Sequence, residues 1–315
     1  MNNFKYIKKF KKSGFIQYSP KQNYILNISG NQIIVTDAKT LDKVHIFKTI
    51  KYPGQVTFSF GDIDMIASGS TMKKLAVFNL EDMSVISTYR ITKLDEPQDC
   101  NIYFSPDNKK IICGIYEFNN SKISVLDLES SKIEDIKIVD DSIIKKIEYC
   151  ISDNSYLFYI FQRRGYIING EEYSKTYILK WKYPFEVNEP IKIETDILLT
   201  WSDISYNHYV SQYALYDSRN KALVITDETL NKELKRYVVP DRRIGYFNIL
   251  KWSLDGKHIV LVFLKSVKLI RVSDMQCVKE FKVSFGFYSE FSPDGKLLLI
   301  GTMSSGYLVD INEVL

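Results

Sequence analysis

The chain has 315 residues, of which 45% are hydrophobic and 25% are charged, and its formal net charge at pH 7 is +4. These values are typical of a globular protein with a sizeable core. They argue against a dedicated duplex-binding protein, which usually carries a larger and more clustered basic excess. The 22 tyrosines and 18 phenylalanines favour β-strands, because aromatic side chains pack well on a pleated surface.

A phrase made of an aromatic residue, a serine, a polar turn and an apolar run recurs along the chain. It is clearest as NIYFSPDNKKIICG, NILKWSLDGKHIVLV and YSEFSPDGKLLLIG, and it is weaker near the start as FIQYSPKQNYILNI. The serines of the aligned phrases are Ser19, Ser59, Ser105, Ser152, Ser202, Ser253 and Ser292. Their spacing of about 40 to 50 residues, with several strands in each repeat, predicts the blades of a β-propeller.

Each repeat is predicted to contain four strands. The first ends in an aromatic residue such as Phe104, Trp252 or Phe291, and a turn of the Ser-Pro-Asp-Gly type follows it. The second strand is mostly apolar, and the third ends in an acidic turn. The fourth alternates polar and apolar residues, which fits an outer strand with one face in water. The predicted blades begin near residues 15, 55, 99, 144, 197, 247 and 286.

The last repeat is one strand short, since it stops after GYLVDINEVL. The segment FKYIKKF, residues 4–10, resembles the fourth strands of other repeats, so we predict that it completes the last blade. The predicted fold is therefore all-β: a single seven-bladed β-propeller domain over residues 1–315, built of four-stranded antiparallel blades. Six or eight blades are the alternatives, because the fourth and fifth repeats are poorly delimited.

The phrases FSPDG-K-L…G and I-x-V-x-D resemble those of the WD-repeat propellers and their close relatives, and the resemblance covers the whole chain. It implies an architecture and says little about function. The sequence departs from the family, because no third strand ends in Trp-Asp and no repeat opens with Gly-His. The family's Asp-His-Ser-Trp network is therefore assigned to no residue here, and we expect apolar packing to replace it.

The four cysteines stand far apart without a C-x-x-C pair, and each lies in or beside an apolar run. They are Cys100, Cys113, Cys150 and Cys277. We expect buried free thiols, which suit a reducing compartment. The longest apolar run, Ile259–Leu264, is far too short to span a bilayer, and no secretory segment follows the basic N-terminus. The expectation is a cytoplasmic protein without a transmembrane segment.

No catalytic motif is recognisable in the sequence. The 14 glycines form neither a nucleophile elbow nor a phosphate-binding loop, and His45, His208 and His258 are far apart. The acidic residues that recur after the third strands are interpreted as turn residues, namely Asp37, Asp127, Asp227, Asp274 and Asp310. We expect no enzyme, no cofactor and no metal. A propeller can gather ligands from several blades, so an enzyme with a site in its channel stays an alternative.

The stretch FQRRGYIING, residues 161–170, is similar to the Phe-Arg-Arg-Gly motif of phosphoinositide-binding propellers that act in autophagy. The resemblance implies that Arg163 and Arg164 would each grip a phosphate. The match is imperfect, because Gln162 separates Phe161 from the arginines. An ordinary solvated loop is the alternative interpretation.

Two connections depart from the repeat and are candidate contact loops. Residues 162–175 are predicted to form a long loop between the second and third strands of blade 4, with Arg163, Arg164, Tyr166 and Tyr173. Residues 238–248 join blades 5 and 6 and carry Arg242, Arg243 and Tyr246. Both connections are predicted to emerge on one face, and arginine and tyrosine are common in interface hot spots. Ordinary loop composition in a tyrosine-rich protein is the alternative.

The sequence therefore predicts a non-catalytic interaction scaffold whose loops bind a protein or peptide partner, within a larger complex. The alternative is a binder of an anionic ligand, such as RNA or a phosphoinositide headgroup, through the loop arginines. Affinity that falls steeply with salt would favour this alternative. The partner, the pathway and the oligomeric state do not follow from the sequence.

Overall fold

The structure is a computed structural model, and it describes the backbone of residues 4–11, 13–51, 53–61, 65–70, 74–91, 99–117, 120–168, 171–194, 201–240 and 247–311. Within these ranges, side chains are described except at positions 55, 70, 99–100, 163–168, 171–175 and 201–202.

The described residues form 28 strands, which pair into seven four-stranded antiparallel sheets. The first strand, β1 (Lys8–Lys11), belongs to the last sheet. Blade 1 contains β2 (Phe15–Tyr18), β3 (Tyr24–Ser29), β4 (Gln32–Asp37) and β5 (Lys43–Phe47). Blade 2 contains β6 (Pro53–Phe58), β7 (Met65–Ser70), β8 (Lys74–Asn79) and β9 (Ser84–Arg90). Blade 3 contains β10 (Asp99–Phe104), β11 (Lys110–Glu117), β12 (Asn120–Asp127) and β13 (Ile133–Val139).

The remaining blades follow in chain order. Blade 4 contains β14 (Ser142–Cys150), β15 (Ser155–Ile168), β16 (Glu171–Lys182) and β17 (Ile191–Ile193). Blade 5 contains β18 (Trp201–Asn207), β19 (Gln212–Asp217), β20 (Ala222–Asp227) and β21 (Glu233–Val238). Blade 6 contains β22 (Phe247–Trp252), β23 (His258–Phe263), β24 (Ser266–Arg271) and β25 (Gln276–Lys282). Blade 7 contains β26 (Gly286–Phe291), β27 (Leu297–Thr302), β28 (Ser305–Asp310) and, at its outer edge, β1.

The seven sheets are arranged as a seven-bladed β-propeller, which confirms the predicted fold class. The first strands begin at residues 15, 53, 99, 142, 201, 247 and 286, close to the positions that the repeat predicts. Apart from a single turn of 3-10 helix at Phe185–Val187, the described residues contain no helix. Within that part of the chain, no helix is long and apolar enough to cross a membrane.

The chain divides into two compact units. The first contains Met1–Ile46 and Thr200–Leu315, and the second contains Phe47–Leu199. Blades 5, 6 and 7 and most of blade 1 lie in the first unit, and blades 2, 3 and 4 lie in the second. The single domain over residues 1–315 stays a prediction.

Within each unit the core lies between neighbouring sheets. In the first unit, Val262 and Phe281 of blade 6 pack against Leu298 of blade 7. In the second, Ile112 of blade 3 packs in one cluster with Phe158 of blade 4. Each large apolar side chain that is fully buried contributes about 1.5 to 3 kcal/mol. Apolar packing between sheets is thus the main contact that holds adjacent blades together.

The recurrent serine bridges the turn between the first and second strands of its blade. Ser253 is buried, its Oγ accepts a hydrogen bond from the His258 N–H at 2.9 Å, and it donates to the Asp255 carboxylate at 2.7 Å. Ser292 repeats the arrangement in blade 7, and its hydroxyl lowers the pKa of the Asp294 carboxyl. Equivalent bonds from the strand that follows reach the serines of blades 1, 2 and 3, which are Ser19, Ser59 and Ser105. The hydroxyl thus provides a hydrogen-bond partner for a part-buried N–H at the start of the second strand.

Two serines of the sequence alignment do not have this role. Ser152 is exposed, and Ser202 lies within β18 rather than in a turn. In blade 5 the corresponding position is filled by Asn207, whose Oδ1 accepts the Tyr209 N–H at 2.9 Å. Its Nδ2 donates to the Ser253 carbonyl of blade 6 at 3.0 Å. The repeat is therefore shifted in blades 4 and 5, where the sequence delimits it poorly.

The N-terminal strand completes blade 7, as predicted. Strand β1 pairs antiparallel with β28, and its register joins Lys8 to Leu308 and Lys11 to Ser305. Phe10 is buried against the core that blades 7 and 1 share. The paired strand begins later than the predicted segment of residues 4–10, because Phe4 leaves the strand and packs on rings of blade 7 and blade 6.

The predicted long loop at residues 162–175 is wrong. Residues up to Ile168 continue β15, and β16 begins at Glu171, so the segment is a β-hairpin in which Tyr166 lies opposite Tyr173. The register shifts between Phe161 and Gly165, and strand pairing resumes beyond the shift. The segment contains β-branched and aromatic residues, whose preference for paired strands outweighs its polar composition.

Replacing Ser253 by alanine should lower the free energy of unfolding by about 1 to 3 kcal/mol, because the His258 N–H would lose its buried acceptor. Urea denaturation measures the difference. Ser130 is the matched control: it lies in an exposed turn, and its replacement by alanine should change stability by less than about 0.5 kcal/mol. Equal losses in the two variants would contradict the role of the buried serine.

Deleting residues 1–10 should cause aggregation or a large loss of thermal stability, because β28 would become an exposed sheet edge. Phe10→Ala keeps the backbone pairing and removes only the buried ring, so it should cost about 3 to 5 kcal/mol without aggregation. Lys9→Ala, in the same strand, should be close to neutral. A truncated protein that melts at the temperature of the full chain would show that β1 is dispensable.

Candidate functional site

For the seven residues that the sequence predicts to contact a partner, the structure describes no side chain. Arg163, Arg164, Tyr166 and Tyr173 lie in strands of the hairpin, and only their backbone is described. Residues 241–246 lie outside the described residues, so nothing tests the three predicted contacts there, Arg242, Arg243 and Tyr246. The predicted contact role of all seven residues stays a prediction.

A different surface of the first unit carries several exposed large apolar side chains. We call the end of a blade at which its first strand begins the entry end. Because the strands are antiparallel, the turn between the second and third strands lies at that same end. At the entry ends of blades 6, 7 and 1, four large side chains are exposed to solvent by 37 to 68%, namely Phe15, Phe285, Phe287 and Met303. We call these four residues the aromatic patch.

Backbone contacts hold the patch together across two blades. Phe285 has a positive φ of 56° and turns the chain from blade 6 into blade 7. Its carbonyl accepts the Met303 N–H at 3.1 Å, which joins this connection to the turn between β27 and β28. The next residue, Gly286, donates its N–H to the Leu264 carbonyl at 3.0 Å. Phe285 and Met303 are thus fixed side by side although neither is buried.

Phe15 brings blade 1 into the same surface. Its ring lies edge to face with that of Phe287, and the ring centres are 5.0 Å apart. This contact needs close approach of two backbones, because a Cβ at Gly301 of β27 would collide with the Gly14 carbonyl oxygen. Glycine at position 301 therefore lets the entry end of blade 1 lie directly against blade 7.

Three lysines border the patch. Lys265 and Lys282 lie at the entry end of blade 6, and Lys11 is paired with Ser305 at the entry end of blade 7. All three are exposed, and none forms an ion pair with another described residue. The surrounding segments contain no aspartate or glutamate, and they are residues 13–15, 29–32, 264–266, 282–287 and 302–305. The surface is therefore both apolar and positively charged.

A small polar cluster lies further along the first strands of blades 6 and 7. Lys251 places its Nζ 5.6 Å from the centre of the Tyr288 ring, and the Tyr288 hydroxyl donates to Glu290 Oε2 at 3.4 Å. The Phe15 ring centre is 5.6 Å from that of Tyr288, so this cluster adjoins the aromatic patch. Burial raises the pKa of Glu290 to about 7, although Lys251 opposes the shift. We call Lys251, Tyr288 and Glu290 the inner polar cluster.

The titratable side chains of the described residues have contacts of their own. No three His, Cys, Asp or Glu side chains of the described residues are grouped to hold a metal ion. His258 is half-buried beside a turn of blade 6, and burial lowers its pKa. The acidic turn residues bind their own turns: Asp37 accepts the Thr40 N–H at 2.7 Å and Asp127 accepts the Ser130 N–H at 2.7 Å.

None of the residues of the aromatic patch was predicted from the sequence as a contact residue. The local signal of the patch was the phrase KVSFGFYSE, in which two phenylalanines flank the glycine where blade 6 passes into blade 7. Polar residues are usual in such connections, so exposed phenylalanines there were a detectable departure. The contribution of Phe15 and Met303 had no local signal, because both come from distant parts of the chain.

No family model matches the sequence, and no curated protein matches it.

Replacing Glu290 by glutamine should make stability less dependent on pH. The folded-state pKa of Glu290 lies above its ordinary value, so ionisation opposes folding and the wild-type protein loses stability as pH rises from about 4.5 through about 7. A neutral glutamine lacks this loss, which should amount to about 1 to 3 kcal/mol, since one pKa unit corresponds to about 1.4 kcal/mol. Urea denaturation at a series of pH values measures it.

Glu228 provides the control for this experiment, because it is exposed in a turn of blade 5. Glu228→Gln should leave the pH dependence of the wild-type protein unchanged. If Glu290→Gln also left it unchanged, the carboxyl group of Glu290 would titrate at its ordinary value.

Proposed function

We propose that this protein is a non-catalytic interaction module, which binds a protein partner through the entry ends of blades 6, 7 and 1. The aromatic patch is the observation that carries the proposal. Exposed apolar side chains that cluster, rather than occur singly, mark protein interaction sites on folded domains. Phenylalanine and methionine are also enriched at the centres of interfaces.

The local backbone structure of the patch supports the same role. The patch residues lie on strand ends and tight turns, and the backbone bonds of Phe285 and Gly286 fix the connection between blades 6 and 7. A surface that is ordered before binding loses less conformational entropy when a partner docks. The proposed relationship to the WD-repeat propellers fits this role, because the resemblance concerns the architecture and implies no catalytic residue in this chain.

We further propose a cytoplasmic location. Cys113 and Cys150 are buried free thiols, and Cys277 is a half-buried free thiol. Free thiols are usual in a reducing compartment, whereas secreted domains commonly cross-link their cysteines. The proposal is independent of the aromatic patch and is checked by microscopy of the tagged protein.

Replacing Phe285 by asparagine and Met303 by serine should abolish partner binding and leave folding almost unchanged. Both side chains are more than half exposed, and asparagine tolerates the positive φ of Phe285. Truncating an interface anchor typically costs about 2 kcal/mol or more in binding. Affinity purification from the cells that express the protein, with quantitative mass spectrometry, identifies partners that the variant loses; binding of each purified partner is then measured by calorimetry.

The matched control is the double variant Ile151→Ser and Val187→Ser. These residues are 61% and 76% exposed, respectively, and they belong to blade 4. The control removes a similar amount of exposed apolar surface, so it should retain the partners. Equal recovery of every partner by the wild-type protein and by the patch variant would contradict the proposed function.

A further inference from the structure

We infer that the aromatic patch binds an acidic segment of its partner, in which carboxylates flank an apolar anchor side chain. The inference rests on the proposed function and adds the chemistry of the partner. The apolar side chains of the patch would contact the anchor, and the lysines around them would pair with the carboxylates.

The distribution of charge around the patch carries this inference. Lys282 precedes Phe285 by three residues, and Lys265 is tied to the same connection because its carbonyl accepts the Val283 N–H at 3.1 Å. Lys11 lies opposite Ser305, which follows Met303 by two residues. The lysines thus border the patch on the blade 6 side and on the outer side of blade 7. An acidic partner would meet opposite charges on both sides.

Lysines without a carboxylate partner are not typical of the whole surface, as the opposite ends of blades 6 and 7 show. There the lysines are accompanied by carboxylates, with Lys257 paired to Asp255 at 3.2 Å and Lys296 to Asp294 at 3.8 Å. Arg271 likewise pairs with Asp274 at 2.6 Å. These three cations thus have carboxylate partners, whereas Lys11, Lys265 and Lys282 beside the patch form no ion pair with another described residue. A negatively charged partner therefore gains more at the entry ends.

Lys251 adds a half-buried positive charge next to the patch. Its side chain is half-buried, and its ammonium lies over the Tyr288 ring without an ion pair to another described residue. A partner carboxylate on a flexible side chain would pair with this ammonium, next to the rings of Phe15 and Tyr288. A bilayer surface or a nucleic-acid backbone would meet the exposed lysines, whereas a half-buried ammonium is reached more readily by a side chain. The half-buried lysine therefore favours a protein segment over either of these.

The test is a selection of random peptides displayed on phage, with the full-length wild-type protein as the target. The selected peptides should carry aspartate or glutamate next to phenylalanine, leucine or tryptophan. A synthetic peptide from the selection should bind the triple variant Lys11→Gln, Lys265→Gln and Lys282→Gln at least about 10-fold more weakly by fluorescence anisotropy, a loss of about 1.4 kcal/mol. Lys251→Gln should weaken binding further.

The matched control removes three positive charges from the opposite ends, by Lys39→Gln, Lys257→Gln and Lys296→Gln. It should bind the peptide as the wild-type protein does. Phe285→Asn with Met303→Ser should abolish binding. Added salt should lower the affinity of the wild-type protein more than that of the triple variant at the patch, because exposed charge pairs are screened.

Three results would overturn the inference. Neutral or basic peptides that still require Phe285 and Met303 would refute the acidic partner and leave the proposed function in place. Peptides that bind equally to the patch variant would contradict the proposed function as well. If no peptide were selected, and anionic phospholipid vesicles or single-stranded RNA bound with the same dependence on the three lysines, the ligand would be a lipid or nucleic acid.

Discussion

The pairing of β1 with β28 is the interaction on which the candidate site depends. It gives the outer edge of blade 7 a hydrogen-bonded partner and buries Phe10 in the core that blades 7 and 1 share. The chain leaves β1 at Lys11 and reaches β2 at Phe15, so this pairing also determines where Phe15 can lie. Because β1 ends at the entry end of blade 7, Phe15 meets Phe287 and a lysine is placed at the border of the patch.

The blades are held by two kinds of contact that act over different distances. Within a blade, a buried serine closes the turn between the first two strands. In blades 3, 6 and 7 the serine hydroxyl also donates a hydrogen bond to the aspartate of the same turn. Between neighbouring blades of each unit, apolar side chains form the contact, supplemented by single bonds such as that from Asn207 to Ser253. Local turns can therefore vary in blades 4 and 5 while the packing of sheets persists.

The candidate site combines features that are unfavourable for the isolated protein. The exposure of phenylalanine and methionine side chains to water is unfavourable in free energy. Lysines without an ion pair at the entry ends repel one another. The proposed partner, which would cover the apolar surface and supply negative charge, would account for the exposed side chains and for the lysines. The opposite ends of the same blades, where charges are paired within turns, need no such explanation.

The sequence by itself determined the seven four-stranded blades and the strand that completes the last one, because turn residues and the alternation of polar and apolar residues are local properties. Two predictions from the sequence were wrong: the positions of the turn serines in blades 4 and 5, and the long loop at residues 162–175, which is a hairpin. Strand pairing in these regions depends on partner strands that the local sequence pattern does not reveal. Only the tertiary structure decided the candidate site. Its apolar residues come from positions 15, 285, 287 and 303, and its lysines from positions 11, 251, 265 and 282. Contacts between residues so far apart in the chain arise from the packing of blades, which no local pattern encodes.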